Sequence, residues 1–102
     1  MTQRTLVRLD FQDGFDEEDD RVRGYRSHVW AELDDGSRYA LTFYSVARLS
    51  ETLDYECSVG RPFFTEPGLI IVPEVTLANM EAAARALAAE GFLERHVAPG
   101  PR

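Results

Sequence analysis

Residues 26–45, RSHVWAELDDGSRYALTFYS, decide the predicted fold because they contain two strand patterns and the turn that joins them. RSHVWAEL and RYALTFYS alternate as half-buried strands do, and DDG at 34–36 is a hairpin signal. A shift of one residue exchanges the two faces of a strand, so the loop length decides which residues are buried. We predict a three-residue loop with Gly36 in the left-handed conformation. It pairs apolar residues across the hairpin: Ala31 with Tyr39, and Val29 with Leu41.

This register gives the hairpin two faces of different character. The predicted buried face consists of Val29, Ala31, Leu33, Tyr39, Leu41 and Phe43. The opposite face carries four candidate partner-binding residues, which are Arg26, His28, Trp30 and Tyr44. A patch of aromatic and Arg side chains is typical of protein interfaces, so we expect this face to bind a partner or a second copy of the chain. In the alternative, Phe63-Phe64 or the C-terminal FLERHV covers Trp30, which then belongs to the chain's own core.

The sequence on either side of the hairpin predicts one strand before it, and a helix, a strand and a second helix after it. The strand patterns are RTLVRLDF at 4–11 and LIIV at 69–72. Ser45 can cap a helix over 46–57, and Thr76 can cap another over 77–90. The first helix has an apolar stripe that we predict to face the core: Val46, Leu49, Leu53 and Cys57.

These elements predict an α+β fold in the order βββαβα. It is an antiparallel sheet of about four strands with two helices on one face. The length of 102 residues suits a single domain over residues 1–102. Within it we expect an acidic loop at 12–23 and a frayed tail at 96–102.

Negative charge is concentrated in one stretch of the chain. Residues 10–20 hold seven of the 18 acids, so the remaining eleven acids balance the eleven Arg residues and this stretch accounts for the net charge of −7. Without a concentrated basic patch, neither nucleic acid nor an anionic membrane is an expected partner. One interpretation is a solvated loop that maintains solubility, and the other is a surface that steers a basic protein into contact. The candidate partner-binding acids are Asp13, Asp16, Glu17, Glu18, Asp19 and Asp20.

The sequence contains no pattern that predicts catalysis, a metal site or a cofactor. Cys57 belongs to an apolar stripe near the end of its helix, so we expect a buried side chain rather than a nucleophile. Two His and one Cys without close spacing do not form a zinc set, and the acidic stretch does not match a calcium loop. We therefore predict no catalytic residue, no metal ligand and no cofactor, and an enzyme is less favoured than a binding protein.

These observations favour a small acidic protein that binds another, basic protein, in the manner of an inhibitor or immunity-type protein. The alternative is a small-molecule-binding domain or small enzyme, with a pocket near Trp30, Tyr44 and the RPFFTEPG loop, where Arg61 would hold an anion. A structural homodimer is the third hypothesis. The single Cys and the absence of signal-peptide or transit-peptide character at the start predict a cytoplasmic location, and no apolar run is long enough to span a membrane.

Overall fold

The computed structural model describes residues 4–100, which form an α+β fold with a four-stranded sheet and four helices. The strands are β1 (Leu6–Phe11), β2 (Tyr25–Leu33), β3 (Arg38–Ser45) and β4 (Leu69–Val72). The helices are α1 (Glu17–Arg23), α2 (Val46–Ser58), α3 (Leu77–Ala89) and α4 (Phe92–His96). The order along the chain is therefore βαββαβαα rather than the predicted βββαβα.

The sheet is mixed rather than antiparallel as predicted. Its strand order is β1-β2-β3-β4, and the first two pairings are antiparallel, whereas β3 and β4 run parallel. The connection explains the difference, because α2 carries the chain back along the sheet before β4 begins. The predicted α+β class and number of strands are confirmed, and the predicted direction of the last strand is wrong.

The predicted register of the central hairpin is confirmed. Ala31 pairs with Tyr39 and Val29 pairs with Leu41. The Leu33 amide donates to the Ser37 carbonyl at 2.9 Å, which leaves three residues in the loop, and Gly36 has a φ of 83°. Turn chemistry and alternation together therefore determined which side is buried. All six residues of the predicted inner face are buried: Val29, Ala31, Leu33, Tyr39, Leu41 and Phe43.

A β-bulge in the first half of β2 changes the face on which Arg26 lies. Arg26 pairs with Phe43 and Val29 pairs with Leu41, so β2 has one extra residue between these pairs. His28 lies in this bulge with a φ of 58°, a left-handed conformation that His adopts more readily than most residues. Arg26 consequently shares the core side with Phe43, and the prediction that it lies on the same face as Trp30 is wrong.

The acidic segment is not the loop predicted for residues 12–23, because α1 occupies Glu17–Arg23. The Asp16 side chain accepts a hydrogen bond from the Asp19 amide at 3.2 Å, and Gly24 ends the helix with a φ of 78°. Carboxylates in the first turn are favourable next to the positive end of the helix dipole. The same acids that suggested disorder therefore help to begin a helix.

The two longer helices pack differently against the sheet. Helix α3 buries Met80, Ala84 and Ala88 in the core, and α4 adds Leu93, whereas α2 has no buried residue. Helix α2 lies beside Tyr44, whose neighbour Phe43 points into the core, so α2 occupies the other side of the sheet. The prediction of two helices on one face is wrong, and so is that of a buried Cys57, which is exposed.

Up to Gly100, the C-terminal segment packs against β3 and is not frayed. Val97 is buried, Pro99 forms a β-bridge with Tyr39, and the Gly100 amide donates to the Arg38 carbonyl at 2.7 Å. The predicted frayed tail is therefore wrong for residues 96–100, of which His96 belongs to α4, and residues 101–102 lie outside the described part of the chain. Within residues 4–100, no helix has the length and apolar character needed to cross a membrane.

Candidate functional site

Asp20 is the innermost member of the acidic stretch. Its side chain is fully buried and accepts hydrogen bonds from Arg23 at 2.8 Å and from Arg26 at 3.3 and 3.4 Å. Arg26 is itself only 12% exposed, stacks on Phe11 and donates to the Gly14 carbonyl at 2.6 Å. Two predicted partner-binding residues therefore form a buried ion pair that attaches α1 to β2, and Asp20 has no accessible surface for a partner.

Two further acids of the stretch bind helix N-termini of this chain. Asp16 caps α1, and Glu17 accepts a hydrogen bond from the Leu77 amide at 2.7 Å, in the first turn of α3. Each carboxylate satisfies an amide that has no partner inside its own helix. These acids therefore contribute to the fold in addition to carrying charge.

The three other candidate acids of the stretch, Asp13, Glu18 and Asp19, are exposed. Glu18 lies 3.5 Å from Arg21, and Asp19 lies 3.4 Å from Arg23. Asp13 is exposed and has no ion pair among the described residues. Of the six candidate acids, these three are the ones with side chains available to a partner without loss of a buried contact or a helix cap.

The four candidate residues of the sheet face do not form one patch. Trp30 is half-buried beneath the C-terminal segment, where a Cβ on Gly100 would overlap its ring, and Arg38 stacks on it at 5.3 Å. His28 is exposed at the bulge, with Nδ1 3.2 Å from the Ser27 hydroxyl. Trp30 is therefore covered near the C-terminus, but the contact is with Gly100, which lies beyond the FLERHV segment of the alternative, and Phe64 packs against Tyr44 instead.

Tyr44 belongs to a separate aromatic cluster. Its ring stacks on that of Tyr25, with 5.6 Å between the ring centres, and packs against that of Phe64, with 5.3 Å between the ring centres. Arg48 of α2 lies over the Tyr25 ring, with its Cζ 4.8 Å from the ring centre. Burial raises the pKa of Tyr44 above its usual value, and the negative charge of Glu66 acts in the same direction. The Tyr44 hydroxyl therefore keeps its proton at neutral pH.

A cavity of about 300 Å³ lies next to this cluster, where α2 meets the sheet. Its lining residues are Tyr44, Arg48, Glu51, Thr52 and Tyr55. Tyr44 is the one residue that it shares with the pocket predicted for an anionic ligand. Trp30 and Arg61 do not line it, and Arg61 instead donates to Glu56 at 2.9 Å.

Helix α2 exposes apolar residues and turns polar ones toward the body of the protein. The residues that it turns partly toward the body are mainly polar: Arg48, Leu49, Thr52 and Glu56. Most of the stripe predicted to enter the core is instead exposed, with Val46 at 60% and Leu53 at 38%, and Cys57 also exposed. Its periodicity was visible in the sequence, but an apolar stripe has the same spacing whether it faces a core or a partner.

Exposed apolar side chains are concentrated around α2. Among the described residues, eight large hydrophobic side chains are exposed, and five of these lie between positions 46 and 63. Those five are Val46, Leu53, Tyr55, Val59 and Phe63. We call the exposed apolar stripe formed by Val46, Leu53 and Cys57 the α2 stripe. A concentration of this kind marks an interaction surface more often than scattered single residues do.

No family model, curated protein or solved structure matches this chain. Within residues 4–100, no group of three or more His, Cys, Asp or Glu side chains has an arrangement that could hold a metal ion. The function is therefore inferred from the surfaces of the molecule.

Proposed function

We propose that this chain is a small acidic protein-binding module and that its partner is a cationic protein. The observation that carries the proposal is the position of the exposed hydrophobic residues, five of which lie between residues 46 and 63. A helix that served its own fold alone would turn its apolar side chains toward the sheet, because burial of a Leu or Val side chain is worth about 1.5–3 kcal/mol. Helix α2 has no buried residue, which supports a second surface as its partner.

Charge around α2 supports a cationic partner. Glu51 and Asp54 are both exposed, and neither forms an ion pair within the described chain. The Arg residues nearest to them in sequence are already engaged, since Arg48 stacks on Tyr25 and Arg61 pairs with Glu56. With a net charge of −7 on the whole chain, the long-range field attracts cations, and Arg or Lys side chains would complement the unpaired acids.

In this proposal only some acids of the acidic stretch attract the partner, although its composition suggested that all of them do. Asp13, Glu18 and Asp19 are exposed and add to the field that steers a basic protein. Asp20 is buried and Glu17 caps α3, so their first contribution is to the fold. The same proposal includes an inhibitor or immunity-type role toward a basic protein in the cytoplasm, which the small size and acidic charge support by analogy.

The test begins with capture of a partner from the source cells at low ionic strength, followed by purification and measurement of the association rate. We expect a protein rich in Arg and Lys, whose association slows as salt rises. Glu51→Gln with Asp54→Asn should slow association by about tenfold at low salt. The matched control, Glu90→Gln with Glu94→Gln, removes the same charge from exposed positions at the C-terminal cap of α3 and on α4, and should slow association by about twofold.

Two outcomes would overturn the proposal. One is that no cationic protein is retained at low salt. The other is that the purified partner associates at a rate indifferent to salt and to both pairs of substitutions, which would assign the negative charge to solubility.

The cavity beside Tyr44 supports a second candidate function, the binding of a small molecule. Its volume of about 300 Å³ lies at the lower end of the range for ligand pockets, and it combines two Tyr rings with polar groups. A ligand bound there would raise the Tm of the wild type. Thr52→Phe, which fills the cavity, should abolish that increase, whereas Thr65→Phe in an exposed loop should leave it unchanged.

A further inference from the structure

The α2 stripe has the geometry of a helix-docking surface. Val46 and Leu53 are seven residues apart, Cys57 follows four residues later, and half-buried Leu49 completes the series. This i, i+3, i+7, i+11 spacing produces a narrow seam along one side of a helix, as in helices that lie in a groove or against a second helix. The seam needs a partner surface that is elongated and apolar.

An acidic residue, Asp54, lies beside this seam. It directly follows Leu53 and precedes Cys57 by three residues on the exposed part of the helix, whereas Glu51 faces away from the seam and lines the cavity beside Tyr44. Asp54 has no ion pair among residues 4–100. A partner that covers the seam therefore brings its flanking residues close to an unpaired carboxylate, and a cationic side chain there is favoured.

A second copy of the chain is a poor occupant for the seam. Two helices paired through the same stripe would bring Asp54 of one chain near Asp54 of the other. Each chain also carries a net charge of −7, so encounter between copies is opposed at long range. Like charges placed together across an interface disfavour a pairing, which separates this occupant from a basic one.

We propose that the α2 stripe docks against an apolar helix or groove of the partner whose flanks carry Arg or Lys. This inference rests on the proposed function and identifies the contact surface of that same interaction. The partner's apolar side chains cover Val46, Leu53 and Cys57, and one of its cations lies opposite Asp54. The single Cys of the chain thus lies within the contact and reports on its occupancy.

The experiment uses two synthetic amphipathic helical peptides as probes, with Leu at the same positions and either Arg or Glu at every polar position. Binding is followed by the rate at which a thiol reagent modifies Cys57 in the native protein and by anisotropy of a dye on the peptide. At low salt the Arg peptide should bind about tenfold or more tightly than the Glu peptide and slow modification of Cys57 to a similar extent. High salt should reduce the difference between the peptides.

Variants distinguish binding at the seam from non-specific binding to exposed apolar residues elsewhere. Leu53→Ser and Val46→Ser should each weaken binding of the Arg peptide by about tenfold, the effect of exposing one buried Leu or Val side chain. Both positions are exposed in the free protein, so circular dichroism should show an unchanged fold. Val22→Ser is the matched control, because Val22 is an exposed apolar residue on α1 and lies outside the seam, and it should bind as the wild type does.

Three results would overturn the inference. The first is equal binding of the Arg and Glu peptides, and the second is unchanged binding of the Arg peptide by both seam variants. The third is a wild-type dimer in sedimentation equilibrium that Leu53→Ser dissociates, which would make a second copy the occupant. If a captured cationic protein binds the wild type and Leu53→Ser equally, the docking surface is wrong while the proposed function stands.

Discussion

Replacement of Asp20 by Asn tests whether the buried ion pair holds α1 in place. Asn has nearly the same shape as Asp, so the change removes a charge without leaving a cavity. Arg26, only 12% exposed, would then remain in the protein interior without its counter-charge. We therefore expect Asp20→Asn to lower stability greatly, although the sequence around Asp20 suggested a solvated loop.

The magnitude follows from the burial of both partners. Breaking a buried ion pair by removing one partner costs about 3–5 kcal/mol. Asp20 is fully buried and accepts three hydrogen bonds, two of them from Arg26. Its other partner, Arg23, is 43% exposed and can turn to solvent, which places the expected loss near the lower limit, at about 3 kcal/mol. For a domain of this length, that loss lowers Tm by roughly 12–24 °C.

Urea unfolding monitored by far-ultraviolet circular dichroism measures the difference directly. Glu18→Gln is the control, because its carboxylate is 80% exposed and its pair with Arg21 spans 3.5 Å, so we expect a change of less than about 0.5 kcal/mol. Asp20→Leu combined with Arg26→Met should recover part of the loss, since no unpaired charge stays buried. Equal stability of Asp20→Asn and Glu18→Gln would refute the argument that this pair anchors α1.

Three further predictions concern the sheet and α2. Gly68→Ala should destabilise the fold by about 2 kcal/mol or more in denaturant unfolding, because its Cβ would overlap the Ala40 carbonyl oxygen. Gly36→Ala, at a similar positive φ but with open space around it, should cost about 1 kcal/mol, and equal losses would contradict the steric explanation. Since burial raises the pKa of Tyr44, its contribution to stability should be complete below the unfolded pKa of about 10 and fall as pH rises through the folded value. Tyr44→Phe should remove that dependence from an alkaline unfolding series. In the free native protein, Cys57 should react with a thiol reagent nearly as fast as in the unfolded chain, and strong protection without a partner would mean that the thiol is covered.

The hairpin was predictable from sequence because its determinants are local. Alternation from Val29 to Leu33 and the DDG turn agree on one register, and the observed pairing is the predicted one. The bulge was not predictable, because nothing adjacent to His28 requires a positive φ there. That single extra residue placed Arg26 on the other face, so a candidate interface residue became the counter-ion of Asp20.

Helix α1 was missed although its boundaries are present in the sequence. Asp16 is a good N-cap residue and Gly24 is a good C-terminal residue, but the density of carboxylates between them suggested disorder. Two contacts compensate for the repulsion among these carboxylates. The buried ion pair joins Asp20 to Arg26 across the turn after α1, and the hydrogen bond from the Leu77 amide to Glu17 joins residues far apart in sequence. Composition reports such charges as unpaired because it contains no information about these contacts.

The exposure of α2 has a different cause. The stripe from Val46 to Cys57 was recognised as apolar, and its assignment to the core assumed that the chain's own sheet would cover it. In the structure α3 and α4 complete the core on one side of the sheet. Within the described chain, that side has no second site for an apolar helix face, and α2 lies on the other side of the sheet. Which helix receives the core depends on how the chain crosses the sheet, and that is decided by tertiary packing.

The distribution of free charge shifts the candidate interface away from the densest acids. Of the six candidate acids in the stretch that dominates the composition, two bind helix N-termini, one is buried, two exposed ones are paired with Arg, and Asp13 is exposed and unpaired within the described chain. On α2, Glu51 and Asp54 are both exposed and unpaired within the described chain, and Asp54 lies next to an exposed apolar seam. Interfaces combine apolar contact with complementary charge, and in this molecule both occur together on α2. Substitutions of Asp16, Glu17 and Asp20 should therefore act mainly on folding, and substitutions on α2 should act mainly on binding.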